Sequence, residues 1–165
     1  MSLFHQIKNG EFSIEEVDTL TGPAIGRPKS ATFRTADIAG LDTMCHVANG
    51  VYDKCPNDES RNVFKLPEFL NKMLNKNMLG SKTNQGFYKK TKDKNGKTKI
   101  LSLDLKTFNY NDQKKVKYET LSIARKCKKR DEKFKILING NDKASEFYRE
   151  NFARMFGYVQ NRIPE

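Results

Sequence analysis

Three glycines and two prolines crowd one stretch of this 165-residue chain, between residues 18 and 42. They are Gly22, Pro23, Gly26, Pro28 and Gly40. Glycine reaches backbone conformations that other residues avoid, while proline fixes φ and removes a hydrogen-bond donor. So many glycine and proline residues in one short stretch predict a loop with a defined backbone conformation.

Helix signals on both sides of this stretch indicate a tight connection between helices. Ser13 and Glu16 have the spacing of a capping box, which opens a short helix through Leu20. Pro28 forces the residue before it into extended geometry, so the next helix is predicted to start at about residue 29 or 30. Gly40 then ends that helix. Packing alone would explain such a connection, and this purely structural interpretation stays open.

Further helices are predicted in the first half of the chain. An apolar stripe at residues 3–7 looks like the end of a helix without a start signal, as if the chain began inside a longer element. Residues 41–53 form a core helix, and Pro67 opens another that Gly80 ends. The inward-facing residues of these last two are Leu41, Met44, Cys45, Ala48, Val51, Tyr52, Phe69, Leu70, Met73, Leu74 and Met78.

The second half of the chain contains a strong turn signal. Asn95-Gly96 lies between alternating residues, which predicts a β-hairpin. From Asp112 onward the pattern is helical, and the basic run 126–130 marks a bend or an exposed end. A final helix starts at about Asp142. The expected apolar faces are Val116, Thr120, Ile123, Ala124 and Cys127 in the first helix, and Tyr148, Phe152, Met155, Phe156, Val159 and Ile163 in the second.

The net charge of +11 comes entirely from the second half of the chain. Residues 1–86 hold ten Lys or Arg and ten Asp or Glu, whereas residues 87–165 hold 21 and ten. Solvated surface lysines explain this most simply. Nucleic-acid binding is a rival, but no recognition motif is present and the aromatic residues fall on helical core stripes. We therefore do not expect nucleic acid as a partner; a basic helical interaction module without catalysis stays a further alternative.

The sequence contains few signs of a reactive or membrane-bound protein. No run approaches the roughly 18 apolar residues of a membrane span, and no signal peptide is visible, so a cytoplasmic protein is expected. Cys45, Cys55 and Cys127 are odd in number and scattered, which favours reduced thiols. Cys45 and His46 are neighbours, but adjacent helical residues point about 100° apart and cannot act as nucleophile and base. No metal site is expected.

Two motifs stand out when the chain is considered as a whole. The first comprises Val17, Asp18, Gly26, Pro28, Phe33, Asp37, Gly40, Leu41, Asp42 and Thr43, and the second Leu79, Gly80, Lys82, Gly86, Phe87 and Tyr88. In this order, with a helix-rich spacer between them, they resemble the C-terminal helical domain of the 3-hydroxyacyl-CoA dehydrogenase family. The resemblance implies a mainly α fold of the 6-phosphogluconate-dehydrogenase C-terminal type, with a small β-hairpin linker and further helices.

The resemblance also implies a domain organisation. Residues 1–90 would form the C-terminal-type helical domain, residues 91–111 a hairpin linker, and residues 112–165 the opening helices of a second, truncated helical copy. Larger bacterial members carry the helical domain twice, and the segment at Pro164-Glu165 is similar to the one that follows the first helix of their second copy. The chain would then be a fragment of such a multidomain protein.

The family oxidises the 3-hydroxyl group of an acyl-CoA with NAD in fatty-acid β-oxidation. Its base is a histidine in a His-Phe-Phe-Asn type motif, oriented by a glutamate, and neither motif is present here. The resemblance therefore implies no catalytic residue in this chain and no cofactor for the chain alone, with NAD bound by an absent N-terminal domain of the parent protein. Expected partners are the acyl-CoA substrate, that nucleotide-binding domain and a second copy of the chain.

The helical domain of this family supplies one wall of the acyl-CoA cleft and the dimer contact. The resemblance places the wall at Pro28, Lys29, Ser30, Ala31, Thr32 and Phe33. The structural motif residues would be Gly26, Asp37, Gly40, Asp42, Gly80, Lys82, Gly86, Phe87 and Tyr88. Pro28 lies five residues before Phe33, where the family usually has four. The basic second half could attract CoA phosphates through its long-range field, and the apolar stripe at 142–163 predicts self-association.

Overall fold

A computed structural model describes residues 1–163, and the predicted segment Pro164-Glu165 lies outside them. Most of the described chain is helical, as predicted, and one small antiparallel sheet interrupts the helices. The helices are α1 Ser2–Lys8, α2 Ile14–Thr21, α3 Phe33–Ala39, α4 Leu41–Lys54, α5 Glu68–Asn75, α6 Glu119–Ala124, α7 Arg130–Asn139 and α8 Lys143–Arg162. The strands are β1 Tyr88–Lys92, β2 Thr98–Leu103 and β3 Tyr110–Asp112.

The predicted capping box opens α2. The Ser13 hydroxyl accepts the Glu16 backbone N–H at 3.2 Å, and the Glu16 carboxylate accepts the Ser13 N–H at 2.7 Å. These reciprocal bonds satisfy donors that the first turn of a helix leaves free. Helix α8 has a similar start, since the carboxylate of Asp142 accepts the backbone N–H groups of Ser145 and, from α6, Thr120.

Helix α3 begins later than predicted. The sequence places its start at residue 29 or 30, but the helix starts at Phe33. Ala31 adopts a positive φ of 49°, which a helix cannot accommodate. Residues 28–32 therefore form a compact loop, in which the Ala31 N–H donates to the Pro28 carbonyl at 3.0 Å.

The β-hairpin is confirmed, and a third strand that the sequence did not reveal extends it. Tyr88 pairs with Ser102 at one end of the hairpin, and Gly96 takes the positive φ that the turn needs. Strand β3 then pairs along β2, with Leu101 opposite Asp112. The sheet is entirely antiparallel, in the order β1-β2-β3.

The predicted helix from Asp112 is wrong in its start, and its predicted apolar face is only partly buried. Asp112 belongs to β3, and α6 begins only at Glu119. Acidic side chains of α2 hold the segment between them, because Glu15 accepts the Lys114 N–H at 3.3 Å and Glu16 accepts the Tyr118 hydroxyl at 2.5 Å. The side chain of Ile123, predicted to be buried, is 49% exposed. Helix α7, which follows the basic bend, was not predicted.

One continuous core joins the two halves of the chain. Phe33 lies at its centre, with ring centroids 5.0 Å from Phe4 and 4.7 Å from Phe87. In the second half, the Tyr148 hydroxyl of α8 donates to the Leu20 carbonyl of α2 at 2.8 Å, and Phe147 packs edge-on against Phe12 at 5.1 Å. Helix α8 therefore packs against α2 and belongs to the same core.

The apolar stripe of α8 divides into a buried and an exposed part. Tyr148 is fully buried and Phe152 half-buried. The exposed part, which we call the α8 stripe, comprises Met155, Phe156, Val159 and Ile163. Across residues 1–163, no helix combines the length and the apolar character that crossing a membrane requires.

Candidate functional site

One buried carboxylate joins the two sequence motifs. Asp37, near the end of α3, is only 4% exposed. Its two carboxylate oxygens accept the backbone N–H groups of Phe87 and Tyr88, each at 2.8 Å. These donors lie 50 and 51 residues further along the chain. Charge-assisted hydrogen bonds of this kind are roughly twice as strong as neutral ones, so Asp37 fixes the start of β1 on α3.

Gly80 and Gly86 of the second motif lie against Asp37. A Cβ atom at Gly80 would approach the Asp37 carbonyl oxygen closer than 3.0 Å, and one at Gly86 would approach the Asp37 carboxylate closer than 3.0 Å. Gly80 also has a φ of +97°, which favours glycine. Both positions therefore require glycine for the two motifs to meet.

An ion pair adds a weaker link between the motifs. Lys82 contacts the carboxylate of Asp42, and hydrogen bonding to Lys82 lowers the pKa of Asp42. Both side chains are more than 40% exposed, so water screens the pair and its contribution to stability is small. The backbone contributes as well, because the Leu41 N–H donates to the Leu79 carbonyl at 3.1 Å, next to Gly40 with its φ of +95°.

A second carboxylate, Asp18 of α2, caps α3 from outside. Its oxygens accept the backbone N–H groups of Thr32, Phe33 and Arg34 at 2.7 to 3.1 Å. It also accepts the Tyr88 hydroxyl at 2.8 Å. Asp18 thus fixes where α3 starts and reaches both motifs. Sequence reasoning included Asp18 in the family pattern but gave it no role.

Burial dominates the electrostatics of these groups. Desolvation raises the pKa of Asp37 to about 6, although the Phe87 and Tyr88 N–H groups act in the opposite direction. Desolvation also raises the pKa of Asp18 above its ordinary value, although the backbone N–H groups that it accepts lower the pKa in part. The pKa of the Tyr88 hydroxyl rises for the same cause, reinforced by the nearby Asp18 carboxylate. Tyr88 therefore remains a hydrogen-bond donor to Asp18.

The residues proposed as a substrate wall form the loop before α3, which begins where Gly26, with a φ of +79°, ends a 3₁₀ turn. Pro28 and Lys29 are exposed, while Ser30 and Ala31 are half-buried. Thr32 shares a hydrogen bond of 2.7 Å with Thr21 of α2. The Phe33 side chain is fully buried in the aromatic core, so only its backbone lies at the loop.

An open groove of about 600 Å³ lies beside this loop. It is bounded by α2, the loop, the start of α3, the sheet and the end of α6. We call it the basic groove, and its lining residues are Glu15, Asp18, Thr19, Pro23, Lys29, Arg34, Tyr88, Ile100, Gln113, Lys114 and Arg125. Of the proposed wall residues, all of which the structure describes, Lys29 alone lines the groove.

The cysteine and histidine residues of α4 do not form a catalytic pair. Cys45 is buried in the core, and desolvation raises the pKa of its thiol to about 11, so it stays protonated near neutral pH. His46 is exposed on the other side of the helix. Within residues 1–163, Cys45, Cys55 and Cys127 are free thiols, and no group of three or more His, Cys, Asp or Glu side chains could hold a metal ion.

Comparison with known proteins identifies the family of the chain. Residues 1–90 match the family model described as 3-hydroxyacyl-CoA dehydrogenase, C-terminal domain. A Bacillus subtilis protein named "Probable 3-hydroxyacyl-CoA dehydrogenase" is 49% identical over 139 residues, which is 84% of this chain and 17% of that protein. A Deinococcus radiodurans protein of the same name is 50% identical over 85 residues, 52% of this chain and 24% of that protein.

More distant relatives come from mammals. The protein named "Hydroxyacyl-coenzyme A dehydrogenase, mitochondrial" from Sus scrofa is 32% identical over 82 residues, 50% of this chain and 25% of that protein. No solved structure matches the chain. The chain spans about a sixth to a quarter of the length of these relatives. Because the family model covers 90 of its 165 residues, the chain belongs to the 3-hydroxyacyl-CoA dehydrogenase family, through that family's C-terminal domain.

Proposed function

We propose that this chain acts as the C-terminal helical part of an NAD-dependent 3-hydroxyacyl-CoA dehydrogenase of fatty-acid β-oxidation, and that its loop at residues 28–33 forms one wall of the acyl-CoA cleft. The proposal rests on the hydrogen bonds of two carboxylates in the first motif. Asp18 accepts the N–H groups at the start of α3 and the Tyr88 hydroxyl, and Asp37 accepts the N–H groups of the second motif. This bonding holds the loop rigidly against α2 and α3. A wall that positions a substrate needs such rigidity.

The chemistry itself is assigned to another domain of the parent protein. NAD-binding sheets are parallel and place a Gly-x-Gly-x-x-Gly turn before a helix, whereas the described sheet is antiparallel and the sequence has no such motif. The described residues therefore do not fit NAD. His5 contacts the Val63 carbonyl at 3.1 Å and His46 lies on the surface of α4. Within residues 1–163, neither imidazole is paired with a carboxylate that could orient it as a base. The chain alone is expected to be inactive.

A chimera tests the proposed wall. The 139 matched residues of the Bacillus subtilis relative would be replaced by those of this chain, and NADH formation from a 3-hydroxyacyl-CoA measured. The chimera is expected to turn over, and Pro28→Trp to raise KM for the acyl-CoA about tenfold, because a large ring on the wall obstructs the cleft. Lys94→Trp, at the exposed tip of the hairpin, is the matched control and is expected to behave like the parent chimera. An inactive chimera, or equal effects of both tryptophans, would contradict the proposal.

The α8 stripe leads to a second prediction, that the chain self-associates. Phe156 is 55% exposed and Val159 52% exposed, on a face where polar residues are expected in a monomer. Light scattering at high protein concentration should give the mass of a dimer or larger. Phe156→Glu should restore the monomer mass, because it would bury an unpaired charge in the contact. Gly157→Glu adds the same charge on the side of the helix away from the stripe, where an added side chain meets nothing within 4 Å, and should leave the mass unchanged. A monomer mass for the wild type would refute the prediction.

Nucleic-acid binding receives no support from the position of the aromatic residues in the second half. Binding of single strands uses exposed aromatic rings on which bases stack. Phe147 and Tyr148 are buried, and the hydroxyls of Tyr110 and Tyr118 are bonded to Gly86 and Glu16. The exposed rings of Phe134 and Phe156 both pack against Phe152, so they belong to an apolar cluster and do not form a separate stacking platform. We therefore keep the dehydrogenase proposal alone.

A further inference from the structure

The basic groove gathers positive charge from distant parts of the chain. Lys29 comes from the loop before α3, Arg34 from α3, Lys114 from the segment after β3, and Arg125 from the end of α6. Folding thus brings together cations that are up to 96 residues apart in sequence, from Lys29 to Arg125. A tertiary arrangement of this kind is not explained by the basic composition of the second half, since Lys29 and Arg34 lie in the neutral first half.

None of these four cations forms an ion pair within residues 1–163. Arg34 lies over the Tyr88 ring at 5.7 Å, a contact that leaves its hydrogen-bond donors available. Lys114 bonds to Glu15 through its backbone N–H, so its ammonium group is not used in that contact. The ammonium and guanidinium groups of the groove therefore have donors available for a ligand.

The two carboxylates of the groove are already engaged elsewhere. Asp18 accepts three backbone N–H groups and the Tyr88 hydroxyl. Glu15 accepts the Ser102 hydroxyl at 2.6 Å and the Lys114 N–H. Four cations and two carboxylates leave a net charge of +2 in the groove, even with both acids ionised. The groove thus suits an anion of more than one charge.

The size and lining of the groove narrow the ligand class. Its volume of about 600 Å³ lies within the usual range for a small-molecule site. Pro23 and Ile100 add an apolar surface beside the cations. We propose that the basic groove binds the phosphate groups of a nucleotide. If the function proposed above is correct, the nucleotide is the phosphoadenosine part of the coenzyme A carried by the substrate, because Lys29 links the groove to the proposed wall.

Isothermal titration of the chain with coenzyme A, dephospho-coenzyme A, ADP and inorganic phosphate tests this inference. At low salt, where charge interactions are screened least, coenzyme A should bind at least about tenfold more tightly than inorganic phosphate. The double variant Lys29→Ala/Lys114→Ala should weaken coenzyme A binding about tenfold, since each charge-assisted contact contributes roughly a factor of a few. Lys94→Ala/Lys97→Ala at the exposed tip of the hairpin removes the same charge outside the groove and should leave the affinity unchanged.

The ligand series separates the possible sources of phosphate. Weaker binding of dephospho-coenzyme A than of coenzyme A supports the coenzyme; equal binding of ADP and coenzyme A supports a nucleotide site and overturns the coenzyme assignment. Equal losses in both double variants, or no nucleotide binding at millimolar concentration, overturn the inference. If the chimera turns over while the groove fails these tests, only the groove inference falls. If the chimera is inactive while the groove binds nucleotide, the proposed dehydrogenase wall is contradicted and the groove inference is supported.

Discussion

Gly80→Ala is expected to lower the free energy of unfolding by about 4 kcal/mol, because it combines a steric clash with backbone strain. The new Cβ would approach the carbonyl oxygen, Cα and carbonyl carbon of Asp37 closer than 3.0 Å. These are backbone atoms, which cannot rotate away as a flexible side chain could. The φ of +97° at Gly80 is also unfavourable for alanine. Urea denaturation, with the midpoint and slope both fitted, measures the change.

Two other glycines separate the causes. Gly96 in the hairpin turn has a φ of +76° with nothing within 4 Å, so Gly96→Ala carries the strain alone and should cost about 1 kcal/mol. Gly86 faces the Asp37 carboxylate closer than 3.0 Å and no positive φ is involved, so Gly86→Ala carries the clash alone and should cost about 2 to 3 kcal/mol. If Gly80→Ala costs no more than Gly96→Ala, the second motif does not lie on Asp37 as described.

Local signals in the sequence were sufficient for several elements. The capping box of Ser13 and Glu16 depends on residues three apart, and the hairpin turn at Asn95-Gly96 on two adjacent residues. Such signals act through the backbone next to them, so they need no knowledge of the rest of the fold. The helix that begins with the capping box was predicted close to its observed start, and so were the helices that begin at Pro67 and Asp142.

Elements whose limits depend on distant partners were the ones predicted wrongly. Helix α3 starts at Phe33 because Asp18, 15 residues earlier, accepts its first N–H groups. Strand β3 exists because β2 is there to pair with it, and the segment after it stays irregular because Glu15 and Glu16 of α2 bind it. No periodicity within residues 110–118 could show these contacts, which arise only on folding.

The candidate site was predictable in composition but not in geometry. The family resemblance named Asp37, Gly80, Gly86 and Tyr88 as structural residues without indicating that one carboxylate holds the second motif. The capping role of Asp18 had no local signal, since a carboxylate near the end of α2 looks like any surface acid. The basic groove was hidden for the same reason, because its cations lie in four separate segments.

Asp37→Asn is the second substitution with a large expected effect, a loss of about 2 to 3 kcal/mol in the free energy of unfolding at pH 7, where Asp37 is ionised. The carboxylate accepts two backbone N–H groups, from Phe87 and Tyr88. An asparagine amide has only one oxygen, so one of these buried N–H groups would face the NH₂ group, a donor opposed to a donor. Thermal and urea unfolding measure the loss. Asp93→Asn in the exposed hairpin turn is a control, because water can replace the bonds that it weakens there.

The loss in Asp37→Asn should also depend on pH, in a direction that follows from the raised pKa of Asp37. Folding raises this pKa from 3.8 to about 6, so the folded state holds the proton more tightly than the unfolded chain. The resulting stabilisation is present below about pH 4 and is lost as pH rises through about 6, by roughly 3 kcal/mol for a shift of this size. Arg34 opposes the shift and Asp18 reinforces it. Asparagine does not titrate, so the gap between wild type and Asp37→Asn should narrow as pH rises from about 4 to 7. A gap that widened instead would mean that the hydrogen bonds to the ionised carboxylate outweigh its burial.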